Sequence, residues 1–382
     1  MLKNWIKIFL YQVKNNKFFT ALNILGLALG IAGLVFAILY WNDEHSYNDW
    51  NPEKEKVYQS VSDLGENMVW ATSVYPLAKY MKNDMPELED FCYLNNWYYD
   101  EIVHYGNKAE KIKILDAQPN FFSFFPFEFT RGSIKSALPD EWSIALSQET
   151  AQKLFGNEEA MGKEVLYSGR RLIVRSVYKI PGKSSMAPQA VTNLLYSTRL
   201  KGNEDQWGHF NFGLLLKLKD PSKAGVVKKK LENLYMEYRT KPAAKESGLS
   251  VDEYIKQNGK VTVILEQLAQ ARLHSVTEGY PEGRGNYQFL LIMTGLSILI
   301  VILSIVNYVN LATANAIKRA KEIGVRKILG AGKANIIGQF IFETVIMASA
   351  ALLLALVIVE LALPYYNDLL AKALVINGSQ FY

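Results

Sequence analysis

The chain has 382 residues, 49% of them hydrophobic and 21% charged, with 42 Lys+Arg against 37 Asp+Glu for a net charge of +5. That hydrophobic share excludes a disordered chain. A single cysteine excludes a disulfide framework and a Cys-based zinc finger, and +5 over this length is too mild to call for nucleic acid.

A mean hydropathy of zero looks like that of a soluble protein, but the charges are unevenly placed. In residues 1–17, Leu2, Trp5, Ile6, Phe9, Leu10 and Val13 fall on one helical stripe, with the lysines mostly off it. The pattern predicts an amphipathic helix on the inner membrane face; the alternative is an extension of the helix that follows. Phe18 to Asn42 is 25 residues without a charge. About 20 apolar residues cross a bilayer, so residues 18–41 are expected to be a transmembrane helix. The run is too long for a signal peptide, and no small-residue cleavage site follows it. Gly26, Gly30 and Gly33 lie inside this helix, where small residues let helices approach closely. They lack the strand and polar setting of a nucleotide fingerprint.

Residues 42–285 mix α and β signals and predict an α+β extracytoplasmic domain, long enough to bury its own core. Strands are expected at 56–62, 98–105, 111–117, 171–180, 214–219 and 261–265. A helix from Ser73 carries Leu77, Ala78 and Met81 and ends before Pro86; another is capped by Ser147 and closed by Gly156. A third is capped by Ser222, with Val226, Val227, Leu231, Leu234 and Tyr238 on its apolar side. Two subdomains are expected, with a boundary near 120–140 or 185–210. The phenylalanines at 121, 122, 124, 125, 127 and 129 read as core anchors.

Gly285 to Ile317 is a second uncharged run, of 33 residues, and between Ala334 and Val359 the sole charge is Glu343. Transmembrane helices are expected at 286–314 and 336–362, joined by a basic loop at 315–335 and followed by a tail at 363–382. Asn307 and Asn310 share a face of the second helix and are expected to pair with a neighbouring helix. Glu343 is an intramembrane carboxylate and so a functional candidate; pairing with a basic residue of the loop near the inner interface is the favoured alternative. Net charge is +4 over 1–17, −2 over 43–284, +5 over 318–333 and −2 over 334–382. Basic segments stay inside, so the amino terminus and the loop are cytoplasmic, and 42–285 and the tail are outside.

Catalytic constellations are missing from the sequence. His45, His104, His209 and His274 do not fall at metal-ligand spacing, and no nucleophile elbow occurs. Gly330-Ala331-Gly332-Lys333-Ala334 resembles the end of a P-loop but has Lys327 for its first glycine and Ala334 for the hydroxyl that binds magnesium. No catalytic residue, metal or cofactor is expected, and ATP, if used, is bound by a separate subunit.

The loop 318–333 reads KRAKEIGVRKILGAGK, a short basic helical pattern with glycines to stop it. Arg319 to Ala331 resembles the cytoplasmic signature of FtsX-like, MacB-type permeases of the type VII ABC superfamily. The resemblance extends to Asn307–Ala314, to Gln339–Glu343, and to Pro119–Phe122 and Leu146–Gly156, which are similar to the MacB-like periplasmic core domain. It implies a non-enzymatic permease subunit in the inner membrane that pairs with a second copy or a homologous half. It implies an ABC ATPase subunit as partner, engaged through Lys318, Arg319, Lys321, Glu322, Gly324, Arg326, Lys327, Gly330 and Ala331. Some members add a periplasmic adaptor. The implied action is mechanotransmission: ATP-driven movement of the outer domain for efflux of peptides or drugs, or for lipoprotein handling, with regulation of cell-wall hydrolases as an alternative. The family has a fourth crossing, so the chain reads as a fragment or the first part of a tandem permease. A membrane-anchored sensor and an outer enzyme are the competing classes. The first lacks a cytoplasmic output module within the 16 residues of the loop, and the second lacks a catalytic constellation.

Overall fold

The computed structural model describes residues 2–65, 68–95, 98–196, 200–278, 280–318, 324–325, 327–328 and 332–376. It forms two compact units, one of residues 1–44 and 286–382, the other of residues 45–285.

The first unit is helical. Leu2–Asn15 is a short helix, and Lys17–His45, Tyr287–Lys318 and Lys333–Leu370 are long ones, here called helices I, II and III. All three are long and apolar enough to cross a membrane. Their outward faces carry Leu25, Leu29, Ile292, Leu303, Leu353 and Leu361, a surface suited to hydrocarbon.

The second unit is built on one twelve-stranded sheet. Its strands are β1 (Val57–Asp63), β2 (Val69–Trp70), β3 (Leu88–Leu94), β4 (Tyr99–Tyr105), β5 (Lys108–Ala117), β6 (Glu128–Arg131), β7 (Ser143–Ser147), β8 (Glu164–Tyr167), β9 (Arg170–Lys179), β10 (Ala190–Asn193), β11 (Gly213–Leu218) and β12 (Thr262–Gln267). Strands β3, β11, β1 and β12 form an antiparallel lobe. Helices Leu77–Asp84 and Ala224–Tyr235 supply Leu77, Met81, Val227, Leu231 and Tyr235 to its core. In the other lobe the pairings run β5–β4–β8–β9–β7–β10 and return to β5, where Ala190 to Asn193 lie parallel to Ile114 to Ala117. Six strands thus close on themselves around Val103, Ile112, Ile114, Ile144, Leu146, Val165 and Val174. Closure removes the exposed edges that make open sheets prone to aggregate.

Phe121, Phe122, Phe124, Phe125 and Phe127 are buried between the lobes, against Val57 and Leu215 on one side and Leu115, Ala145 and Val191 on the other. Phe127 stacks on Tyr178 at 5.2 Å and Phe121 on Phe125 at 5.3 Å. Residues 120–140 are therefore the joint and not a boundary. The chain passes between lobes at 94–99 and again at 193–213.

Three expectations for local structure shift. Ser73 does not start a helix; it bridges to Phe212 as extended chain, and the helix begins at Leu77 behind Pro76, whose fixed φ suits a first turn. Asp220, not Ser222, accepts from the first turn of the later helix, because its carboxylate receives the Ser222 amide at 2.9 Å. Tyr238 is exposed: a wide turn at Met236–Thr240 interrupts the α register and rotates it off the buried stripe of Val227, Leu231 and Tyr235. The Ser147 cap is present, accepting from the Thr150 amide, and Gly156 ends that helix at φ 65°.

Candidate functional site

The features that bear on function lie in the helical unit, and helix I is its centre. One face of helix I meets helix II through its glycines. Ser304 Oγ lies 2.9 Å from the Gly26 carbonyl, and Ser297 Oγ lies 3.1 Å from the Gly33 carbonyl. Both hydroxyls also lie 2.8 Å from the carbonyl one turn back in their own helix, so each proton is shared. Between the two serines, Val301 sits on Gly30: a Cβ added there would stand 3.3 Å from Val301 Cα and Cγ2. The two serine contacts are seven residues apart on both helices, with Gly30 and Val301 between them, the spacing that keeps one face in register along a helix pair. Below them Asn307 Nδ2 reaches Asn23 Oδ1 at 3.5 Å, whereas Asn310 is exposed.

The opposite face of helix I meets helix III. Ala28 and Ala32 are buried with Ala351, Ala355 and Val359. Both alanine pairs are four apart, another small-residue seam. Sequence reading missed it because alanine is commonplace in an apolar helix.

The short helix Leu2–Asn15 packs on helix III through Trp5. Its ring lies 5.7 Å from that of Phe342, and a Cβ on Gly338 would stand 3.2 Å from it. Leu10 and Tyr11 remain exposed. Glu343 on helix III is buried and accepts from Gln339 Nε2, one turn earlier, at 2.9 Å. Tyr308 and Thr344 join their hydroxyls across helices II and III at 2.7 Å.

At the other end of the bundle, Lys372 pairs with both Asp43 and Glu44 of helix I, 2.5 Å from the second, and its Nζ lies 5.0 Å from the Tyr40 ring centroid. Nothing in the sequence pattern marks this trio, since Lys372 lies 329 residues from Asp43.

Of the loop residues singled out for ATPase coupling, Arg319, Lys321, Glu322, Arg326, Gly330 and Ala331 lie outside the described residues. Lys318 ends helix II; Gly324, Val325, Lys327 and Ile328 are helical. Ile328 is 88% exposed and Val325 53%, which leaves two apolar side chains one turn apart open to a partner.

In the outer unit a cleft of about 480 Å³ opens beside residues 178–189, with Lys113, Lys179, Lys183, Glu149 and Glu282 among its walls. Elsewhere in that unit, Lys217 is buried between Glu53 at 3.4 Å and Glu89 at 3.0 Å. Burial pushes the Glu53 carboxyl up, but the Lys217 and Lys56 ammonium groups outweigh it and hold the carboxyl below its usual range. For Lys217, burial pulls down and the two carboxylates more than reverse it, raising the ammonium above its usual value. Glu266 shows the opposite balance: burial raises its carboxyl despite the Val276 amide and the Ser275 hydroxyl. Among the described residues no group of three His, Cys, Asp or Glu could hold a metal ion.

Membrane-length helices that flank an inserted α+β domain make this a helical membrane protein with an extracytoplasmic domain. The MacB-like periplasmic core domain family matches residues 20–234, more than half of the chain, and the FtsX-like permease C-terminal family matches residues 294–382. The chain belongs to the MacB/FtsX-like family of ABC transporter permeases. It is 21% identical over 396 aligned positions to the pyoverdine export ATP-binding/permease protein PvdT of Pseudomonas syringae, covering 94% of this chain and 54% of that one. The chain thus spans about half the length of the curated relatives it matches. Among solved structures, the periplasmic region of MacB from Actinobacillus actinomycetemcomitans is similar over 56% of this chain and 89% of its own, at 14% identity and a TM-score of 0.37. The extracellular domain of the ABC-type transporter YknZ from Gram-positive bacteria covers 55% of this chain and 99% of its own, at 11% identity and a TM-score of 0.35.

Proposed function

We propose that the chain is the non-enzymatic permease part of an ABC transporter, and that it passes work from a separate ATPase subunit to its outer domain. The observation that carries this reading is the order of the family matches along the chain. The MacB-like match begins in helix I, and the FtsX-like match begins in helix II and runs through the basic loop 318–333. In this reading the loop is the coupling helix, cytoplasmic with the amino terminus, and residues 42–285 lie in the periplasm. The membrane is the inner one, and a second permease copy or homologous half completes the assembly. The +5 of the loop against −2 for the outer segment supports that orientation, and exposed Val325 and Ile328 supply an apolar contact beside Lys327.

The test is co-expression with the ATPase subunit of the same transporter and capture through a tag on the permease. The parent chain is expected to retain the ATPase, and the triple reversal Arg319→Glu, Arg326→Glu, Lys327→Glu is expected to lose it. Undiminished capture by the triple variant would overturn the assignment of the loop.

A further inference from the structure

We propose that Lys372, Asp43 and Glu44 form a fixed ionic strut that ties the outer end of helix III to helix I, so that movement of helix III is delivered to the outer domain. The inference rests on the permease reading above and names a route for its force.

Helix II joins the coupling loop directly to the outer domain, since its chain runs from residue 318 back to 287 and the domain ends at 285. Helix III has no such link in the chain order. Its noncovalent link is built from its last turn. Helix III ends at Leu370, and Ala371 adopts a left-handed conformation, φ 49°. That conformation disfavours any residue with a Cβ, so other contacts must hold it. Asn367 holds it with two bonds across the turn, donating to the Leu374 carbonyl at 3.0 Å and accepting from the Leu374 amide at 2.9 Å. The Lys372 amide also reaches the Asn367 carbonyl at 2.9 Å. The turn aims the Lys372 side chain at helix I, where its Nζ meets Asp43 and Glu44. Below it Tyr366 packs on Phe36, ring centroids 4.6 Å apart. The side chains are largely withdrawn from water, 12% exposed for Lys372, 7% for Asp43 and 1% for Glu44. Removing one member of such a group leaves uncompensated charge in a poor solvent for it. The strut therefore stays closed while the helices move. Helix I ends at His45, the first residue of the outer domain, so a pull on helix III reaches the domain where its chain begins.

The experiment uses the full chain with its ATPase in lipid nanodiscs. A spin label at Lys201→Cys in each of the two permease copies reports the distance between their outer domains, with and without ATP; Cys92 is buried and stays unlabelled. The parent is expected to shift between the two conditions. Lys372→Glu is expected to hydrolyse ATP while losing most of that shift. The swap Asp43→Lys with Lys372→Glu restores opposite charges across the contact and is expected to recover at least half of it. A parental shift in Lys372→Glu would overturn the strut. So would a swap that binds the ATPase and inserts normally yet recovers nothing, and this arm decides the case if Lys372→Glu alone fails to insert. If the parent binds the ATPase but shows no shift with ATP, the permease reading itself falls, and the strut with it.

Discussion

Substitution of Gly30 by alanine should loosen the seam between helices I and II, while the same change at Gly26 and Gly33 should not. An added Cβ at Gly30 would stand 3.3 Å from Val301 Cα and Cγ2 and 3.4 Å from its backbone nitrogen. Two of these atoms belong to a helix backbone, which does not rotate away as a side-chain tip does. The helices must part by a few tenths of an ångström. At that separation the Ser304 and Ser297 bonds to helix I, 2.9 and 3.1 Å long, stretch but survive. Overpacking of this kind costs about 1–3 kcal/mol, offset by up to roughly 1 kcal/mol for replacing glycine in a helix. The net expectation is a loss of about 1 kcal/mol for Gly30→Ala, and about 3 kcal/mol for Gly30→Leu. At Gly26 and Gly33 the nearest atoms are serine hydroxyls, 3.8 and 3.5 Å away, which is ordinary contact. Alanine there should be neutral or slightly stabilising, within about 0.5 kcal/mol. Steric-trap or SDS unfolding of the full chain in bicelles measures all four variants. Equal losses at the three glycines, or free tolerance of Gly30→Leu, would refute the reasoning.

Phe121→Ala should open a cavity at the joint of the two outer lobes and cost about 3–5 kcal/mol, read as a drop in the midpoint of urea unfolding of the outer domain. Ser147→Ala removes the oxygen that accepts from the Thr150 amide and should cost about 1 kcal/mol in the same assay. The Lys217 group gives a pH dependence with a defined sign. Glu53 is held low in the folded state, so its stabilisation is full above its unfolded value near ~4.3 and is lost as pH falls through the folded value. Lys217 is held high, so its share is full below its unfolded value near ~10.4 and is lost as pH rises through the folded value. The difference in Tm between parent and Lys217→Met should be widest near neutrality and narrow at both extremes; a constant difference across the range would count against the assignment.

The parts of the fold visible in the sequence were those set by local pattern. Uncharged runs of 25 and 33 residues predict membrane-length helices; helices I and II begin within two residues of these runs and end one to three residues past them, whereas helix III begins three residues before and ends eight past the expected 336–362. Period-two alternation predicts β5 and β9, and a serine followed by an apolar turn predicts the Ser147 cap. What was not visible depends on partners distant in sequence. The closure of six strands rests on β10 lying parallel to β5, and four-residue β10 carries no signal of its own. Strands β3 and β7 went unassigned because both are buried on most positions, and a short apolar run without alternation does not declare its type. In the membrane unit, the glycines were legible as packing residues because glycine is conspicuous in a helix. The alanines that face helix III and the lysine that meets Asp43 and Glu44 were not, because neither residue type is unusual where it stands.

The distribution of small residues on helix I has a mechanical consequence. Glycine faces helix II and alanine faces helix III, so helix I is gripped on two sides and cannot slide past either partner without leaving a close-packed register. Packed interfaces of this kind shift between discrete arrangements and do not deform smoothly. The three helices are therefore suited to moving as one body, with seams that set the spacing and the charged trio at Lys372 that sets the register at one end. The two ends differ in kind. The Lys372 end is closed by ionic and aromatic contacts, whereas Val325 and Ile328, between helices II and III, are open. Under the permease reading proposed above, force enters this body at the open end and leaves it at the closed one.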